Sequence, residues 1–356
     1  MEYFNRYANC QLVTGANMSL LCDLQLRRYY HIPNDTAEVI TFLEQHSINE
    51  CIACYGEDNR EAITGYIDFL LSKELGFTDT QHLPELTPLD LSWDRFGDIT
   101  NVIIEYNEQI DYNSTFFHDL FHQQVQGLEI RCYQHISLDK LRSFLERFNG
   151  TTLKYIKLVL PFDLTLELKT LDQLVKKYPR VKSILLHASP LDKLEKIFEG
   201  SVPVTFYQGN INSCLACGEI RTNYFLANME LFTESQQHNT CLNRKLSIDL
   251  QGNIKNCPSL PENYGNIATA RLQEVLDDKA FHKYDNIRKD DIKGCKDCEF
   301  RHVCTDCRAY REDPNDLLSR PLKCGYDPYT NNWENWSQNP LKQQAIACYG
   351  LTELIN

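Results

Sequence analysis

The sequence predicts an α/β protein in three parts: a winged-helix-like N-terminal unit, a partial (β/α) barrel and a cysteine-rich, metal-binding C-terminal region. Three observations carry this expectation. Between residues 99 and 208, β-branched apolar runs alternate with amphipathic helical patterns in units of roughly 25 residues, the rhythm of a parallel sheet with crossover helices. Ahead of them, residues 1–90 read as short strands followed by two helices. Behind them, seven of the fifteen cysteines fall between Cys241 and Cys324.

In the first unit (1–90), "CQLVTG" and "MSLLCDL" flank the turn-prone "TGAN", and "LRRYYHIP" adds a third strand that Pro33 stops. A helix is expected to start near Asp35, with Glu38 closing a capping box, and to run through "VITFLEQH". A second is expected from Asp58, with Glu61 in the same role. Its apolar stripe is Ile63, Tyr66, Ile67, Leu70, Leu71 and Leu75. The Pro-containing, aperiodic "HLPELTPLDLSW" (82–93) reads as a linker.

The middle part (91–212) offers the strands "ITNVIIEY", "LEIRCYQ", "LKYIKLVL", "VKSILLHA" and "VPVTFYQ". Helical patterns separate them: "FFHDLFHQQV", "SLDKLRSFLERF", "LELKTLDQLVKKY" and "PLDKLEKIF". Five strands are too few to close an eight-stranded barrel, so an open, partial barrel is expected, with a doubly wound sheet as the alternative. From Cys214 the rhythm stops. In the region 213–330, "LSIDLQGNIKNC" (246–257) reads as a hairpin turning at Gln251-Gly252-Asn253. Few apolar residues are left there for a core, so bound metal is expected to replace packing. Residues 331–356 read as a tail that docks through "AIACYGLTELI".

With 42% hydrophobic and 24% charged residues, the composition is that of a soluble globular chain. A formal charge of −13 argues against nucleic acid or anionic membrane as partners. No apolar run reaches membrane-spanning length, and "MEYFNRYANCQLV" lacks the apolar block of a signal peptide, so the cytoplasm is the expected location. In that reducing compartment, clustered cysteines point to metal before disulfides.

The cysteines fall into three blocks. Cys241 is followed after ten residues by Gly252 and after four more by Cys257; then come Cys295-x2-Cys298-x5-Cys304-x2-Cys307, and finally Cys324. Thiolates are the ligands of iron–sulfur clusters, four per cluster, while zinc also accepts four thiolates and stays open as an alternative. This order of seven cysteines and one glycine resembles the SPASM domain of radical-SAM enzymes that mature peptides, with one departure: the family has three residues before the cysteine at Cys307, and this chain has two. The resemblance implies one or two [4Fe–4S] clusters. Cys241, Cys257 and Cys307 would serve the first, with Cys217 or Cys214 of "SCLACG" as its missing ligand; Cys295, Cys298, Cys304 and Cys324 would serve the second.

A radical-SAM enzyme also carries C-x3-C-x2-C after the first barrel strand. Here "NEQIDYNSTFFHDLF" follows that strand and holds no cysteine. The near match Ser47-x3-Cys51-x2-Cys54 lies ahead of the barrel and has serine in the first position. No S-adenosylmethionine cluster is therefore expected, and the barrel is read as a radical-SAM-like one without its reactive centre. With "ANCQLVTGANMSLLCDLQ" and "CLNRKLSIDLQGNIKNCPS", the chain resembles the SPASM-domain peptide maturase of grasp-with-spasm systems. That resemblance implies two partners, a ribosomally made precursor peptide and an ATP-grasp ligase. It also implies that the N-terminal unit takes the peptide as an added strand, for which Leu26–His31, with Leu26, Arg27, Arg28 and Tyr29 foremost, form the candidate edge and the helix from Ile63 to Leu71, with Ile63 and Tyr66, faces it. Whether the protein is itself an enzyme, using an open cluster for redox or Lewis-acid chemistry, or a zinc-stabilised scaffold, stays open at this point.

Overall fold

The computed structural model describes residues 1–83, 88–122 and 125–352. Part of the expected linker (84–87), two residues of the first crossover pattern (123–124) and the end of the tail (353–356) lie outside them. The chain forms two compact units, one of residues 1–94, 219–240 and 286–356, the other of residues 95–218 and 241–285.

The first unit begins with strand β1 (Tyr3–Arg6), followed by an antiparallel sheet of β2 (Cys10–Thr14), β3 (Met18–Asp23) and β4 (Arg28–Pro33) in the order β2-β3-β4. Helices α1 (Asn34–Leu43), α2 (Ile48–Tyr55) and α3 (Arg60–Ser72) follow, and β5 (Gly76–Asp79) returns to pair with β1. Period-two alternation gives the sheet two apolar faces. Leu21, Tyr30 and Ile32 pack with the helices, around Ile40, Leu43, Ile63 and Leu70. Val13, Leu20 and Cys22 face the other way, onto Phe225, Phe300, Val303 and Tyr326 of the cysteine-rich region.

Two expected capping boxes do not form. β4 runs directly into α1, whose cap is Pro33 with no side-chain bond, so no loop residue is left for Asp35 to serve as cap. Asn59 precedes α3, again without a side-chain bond. A box forms instead at α2, a helix the sequence reading passed over: Ser47 Oγ accepts from Glu50 N, and Glu50 accepts from Ser47 N at 2.8 Å.

The second unit is built on β6 (Asn101–Glu105), α4 (Thr115–His122), β7 (Gly127–Arg131), α5 (Leu138–Glu146), β8 (Tyr155–Pro161), α6 (Leu168–Lys177) and β9 (Val181–His187), all in the expected places. The segment 190–198, expected to be helical, instead holds strand β10 (Lys193–Ile197), antiparallel to β11 (Val202–Phe206). Its Lys-Leu-Glu-Lys-Ile alternation suits a charged edge strand, and Phe198, Glu199 and Gly200, all at positive φ, turn the chain back. The expected hairpin is present as β12 (Lys245–Ile248) and β13 (Ile254–Lys255), with Gly252 at φ +79° in its turn.

One sheet results, in the order β10-β11-β9-β8-β7-β6-β12-β13, with parallel pairing from β11 through β12. It stays open, as expected. The crossover helices α4–α6 all pack on its one apolar face, whereas a doubly wound sheet carries helices on both, so the arrangement fits the partial barrel better than the doubly wound alternative. Val102, Ile104, Leu128, Ile130, Leu158 and Ile184 form the core with α4–α6. Intervening positions carry polar groups: Glu129 pairs with Arg131 and, at 3.1 Å, with Lys157, its register partner on β8.

Candidate metal centres

In the second unit, Cys241 and Cys257 flank the β12–β13 hairpin. Asp249 fixes its turn by accepting from the backbone N–H groups of Gln251 (3.0 Å) and Asn253 (2.8 Å). Beyond β11, a single helical turn at Cys214–Ala216 presents Cys214 and Cys217. Lys245, on the first residue of β12, places Nζ 3.5 Å from Cys241 Sγ. Burial alone would favour neutral Lys245, but the charges of Cys241, Cys257, Cys217 and Glu129 outweigh it and hold the ammonium protonated. Arg131 Nη2 lies 3.7 Å from Cys217 Sγ. Cys214 sits near the same guanidinium, its thiol pushed up by burial and by Glu105. Both candidates for the missing ligand therefore belong to this neighbourhood, and Cys217 shares Lys245 with Cys241 and Cys257.

In the first unit, Cys295, Cys298, Cys304 and Cys324 line one pocket, together with Phe225, Phe300, Tyr326, Trp333, Lys289 and Arg320. Tight turns bring the sulfurs round: Cys298 N donates to Cys295 O, and Cys304 N to Phe300 O, both at 3.0 Å. A parallel bridge to Ile220 anchors Cys324. Lys289 Nζ lies 3.6 Å from Cys304 Sγ, and Arg320 Nη2 lies 4.0 Å from Cys324 Sγ. Burial pushes the Cys295 and Cys298 thiols up and takes Cys304 to about 12. Buried Cys307 stands beside Arg308.

Each thiol set is thus accompanied by one buried or half-buried lysine and one arginine. That is the charge a thiolate-ligated, anionic centre needs when removed from water. The donor chemistry fits iron–sulfur. Among the described residues, no three Cys, His, Asp or Glu side chains converge on a single ion.

Residues 240–299 match the family model of SPASM, an iron–sulfur cluster-binding domain. The cysteine-rich region thus carries a SPASM-type segment, and the match takes in Cys241, Cys257, Cys295 and Cys298. No curated protein matches the chain. Among solved structures it is similar to SuiB of Streptococcus suis, crystallised with S-adenosylmethionine. Identity is 11% and the TM-score 0.29, over 90% of this chain and 99% of that one, a likeness that carries no argument.

The candidate peptide-contact residues divide. Leu26, Arg27 and Arg28 are exposed in the β3–β4 turn and at the start of β4, with Arg27 at φ +58°. β4 is an outer strand of its sheet. Tyr29 turns to Phe300, with ring centroids 6.3 Å apart. Ile63 is buried in the helix core and Tyr66 packs against it, so the two border the other face of the sheet. Tyr30, between Phe69 and Lys73, and His31, against Phe300, complete the expected edge. Ser47 is a helix cap, Cys51 is buried and Cys54 exposed, so the near match to the radical-SAM motif gathers no three-thiol site.

Proposed function

We propose that this protein is an iron–sulfur component of a peptide-maturation system, which docks a ribosomally made precursor along β4 and presents it to an ATP-grasp ligase without radical chemistry of its own. The observation that carries the reading is the position of β4. It is an outer strand with one side-chain face on α3 and the other on Phe300, in the wall of the four-thiol pocket. An extended peptide adding to that edge would gain main-chain hydrogen bonds, and exposed Arg27 and Arg28 favour an acidic segment. Cys295, Cys298, Cys304 and Cys324, with Lys289 and Arg320, would hold one cluster. Cys241, Cys257 and Cys217 would contribute to a second, with Cys214 completing it. The clusters, when bound, supply cross-links for a loop-rich region and a capacity to store electrons.

The absence of C-x3-C-x2-C anywhere in the sequence supports a presenting role. The test is direct. Precursor peptide is titrated into the anaerobically isolated protein and into an Arg27→Glu/Arg28→Glu variant, and the ligase is assayed on its peptide with and without this protein. Weakening of binding by about tenfold or more is expected from the charge reversal, together with ligase activity that depends on the added protein. A ligase that works equally well alone ends the presenting role.

A further inference from the structure

Glu299 follows the pocket cysteine Cys298 in the chain, and its side chain is completely buried. One carboxylate oxygen, Oε1, accepts from His31 Nε2 at 2.7 Å and from the Tyr326 hydroxyl. The other, Oε2, is buried without a hydrogen-bond partner among the described residues. Both groups facing Oε1 can donate to it: the Tyr326 hydroxyl, and His31 in the tautomer protonated at Nε2. The cradle is built closely around it. A Cβ at Gly15 would fall 2.9 Å from Oε2 and 2.7 Å from the Glu299 nitrogen, while Ala16 N donates to Asp297 O at 2.8 Å. His31 differs from the rest of the cradle in being about a third exposed, on outer strand β4.

Leaving a buried carboxylate oxygen unpaired is costly, and a well-packed apolar residue would serve stability better. A carboxylate and its hydrogen bonds have a use in that place, because net charge and nearby hydrogen bonds set the reduction potential of an iron–sulfur centre. We propose that Glu299 holds down the potential of the centre ligated by Cys295, Cys298, Cys304 and Cys324, and that His31 passes the occupancy of the β4 edge to it. The first half rests on the thiols binding iron–sulfur, and the second also on docking at β4. An occupant that takes the His31 N–H for itself leaves Glu299 less neutralised and the centre harder to reduce. An occupant that presses His31 onto Glu299 does the opposite.

The experiment uses the full chain, loaded anaerobically, with iron and sulfide counted and the potential read by spectroscopic titration. Glu299→Gln keeps the shape and removes the charge, so its potential is expected to rise by at least tenfold in the reduction equilibrium, about 59 mV for one electron. His31→Gln, nearer the surface, is expected to move the potential with iron content unchanged. Precursor peptide is expected to shift the wild-type potential and to leave that of His31→Gln in place. Full iron with an unmoved potential in Glu299→Gln overturns the proposal. If that variant does not hold iron, an unmoved potential in His31→Gln does so instead. Peptide that binds without any shift overturns the coupling and leaves docking intact. Variants that shift while peptide fails to bind uphold the electrostatic half and sink the docking reading.

Discussion

Single side chains in this protein do their work by contact distance and by charge. Glycine makes the first point twice over. A Cβ at Gly15 would come within 2.6–2.9 Å of Met18 O, the Glu299 nitrogen and Glu299 Oε2, whereas one at Gly65, inside α3, would meet nothing within 4 Å. Gly15→Ala is therefore expected to lower stability by about 1–3 kcal/mol through forced displacement, and Gly65→Ala to raise it by roughly 0.5–1 kcal/mol through helix propensity. Urea melts of the two variants would test this, and matching shifts would refute the close approach. Charge is decided at Glu129. Burial would push its carboxyl up, but Arg131 and Lys157 outweigh burial and hold it at about 2, against an ordinary 4.5. A depressed carboxyl stabilises the fold fully above its unfolded value, and that contribution disappears as pH falls from about 4.5 to about 2. Glu129→Gln is expected to cost on the order of 2–3 kcal/mol at neutral pH and close to nothing at pH 2, flattening the acid limb. An acid limb as steep as the wild type's would show the carboxylate to be unpaired in solution.

Secondary-structure elements were legible where one pattern dominated. The strands β6 to β9 and β11 announce themselves by β-branched runs, and α5 and α6 by stripes such as Leu171, Leu174 and Val175. The β12–β13 hairpin was legible from Gly252. Segment 193–197 was not, because its lysines and glutamate suit a helix surface and an exposed edge strand equally, and only pairing with β11 decides. The grouping of Cys295, Cys298, Cys304 and Cys324 was legible only through the resemblance of the cysteine order to the SPASM pattern, and these four line one pocket. The neighbourhood of Cys214 and Cys217 with Lys245 and Arg131 was only half legible, since it depends on how β11, β7 and β12 lie in one sheet. These sets carry a prediction of their own. Cys298→Ala should remove about half of the iron from a protein that holds two four-thiol clusters and leave the Cys241–Cys257 set loaded. Cys217→Ala should do the converse. Full iron in Cys217→Ala would exclude that thiol as a ligand, and loss of all iron in Cys298→Ala would show that the two sets load as one.

Across the whole chain, the cysteine-rich region proves less poor in packing than its composition suggests. Phe225, Phe300, Val303 and Tyr326 rest on the second face of the N-terminal sheet, against Val13, Leu20 and Cys22. Metal therefore supplements a borrowed core there. The parallel sheet has an apolar core of its own, in which Val102, Ile104, Leu128, Ile130 and Leu158 are buried among apolar neighbours and the crossover helices. Removing iron should accordingly divide the molecule by local stability. Hydrogen exchange on chelated, reduced protein is expected to quicken by about tenfold or more in residues 295–326 and in the loops holding Cys214 and Cys241, where turns carry the backbone. Amides of β6 to β9 should keep their loaded-state protection. β2 to β4 should fall between, since α1–α3 still cover one face after the other loosens. Loss of protection in β6 to β9 alongside the cysteine loops would mean that the centres hold up the entire fold. Unchanged protection in 295–326 would mean that the borrowed apolar face suffices without them.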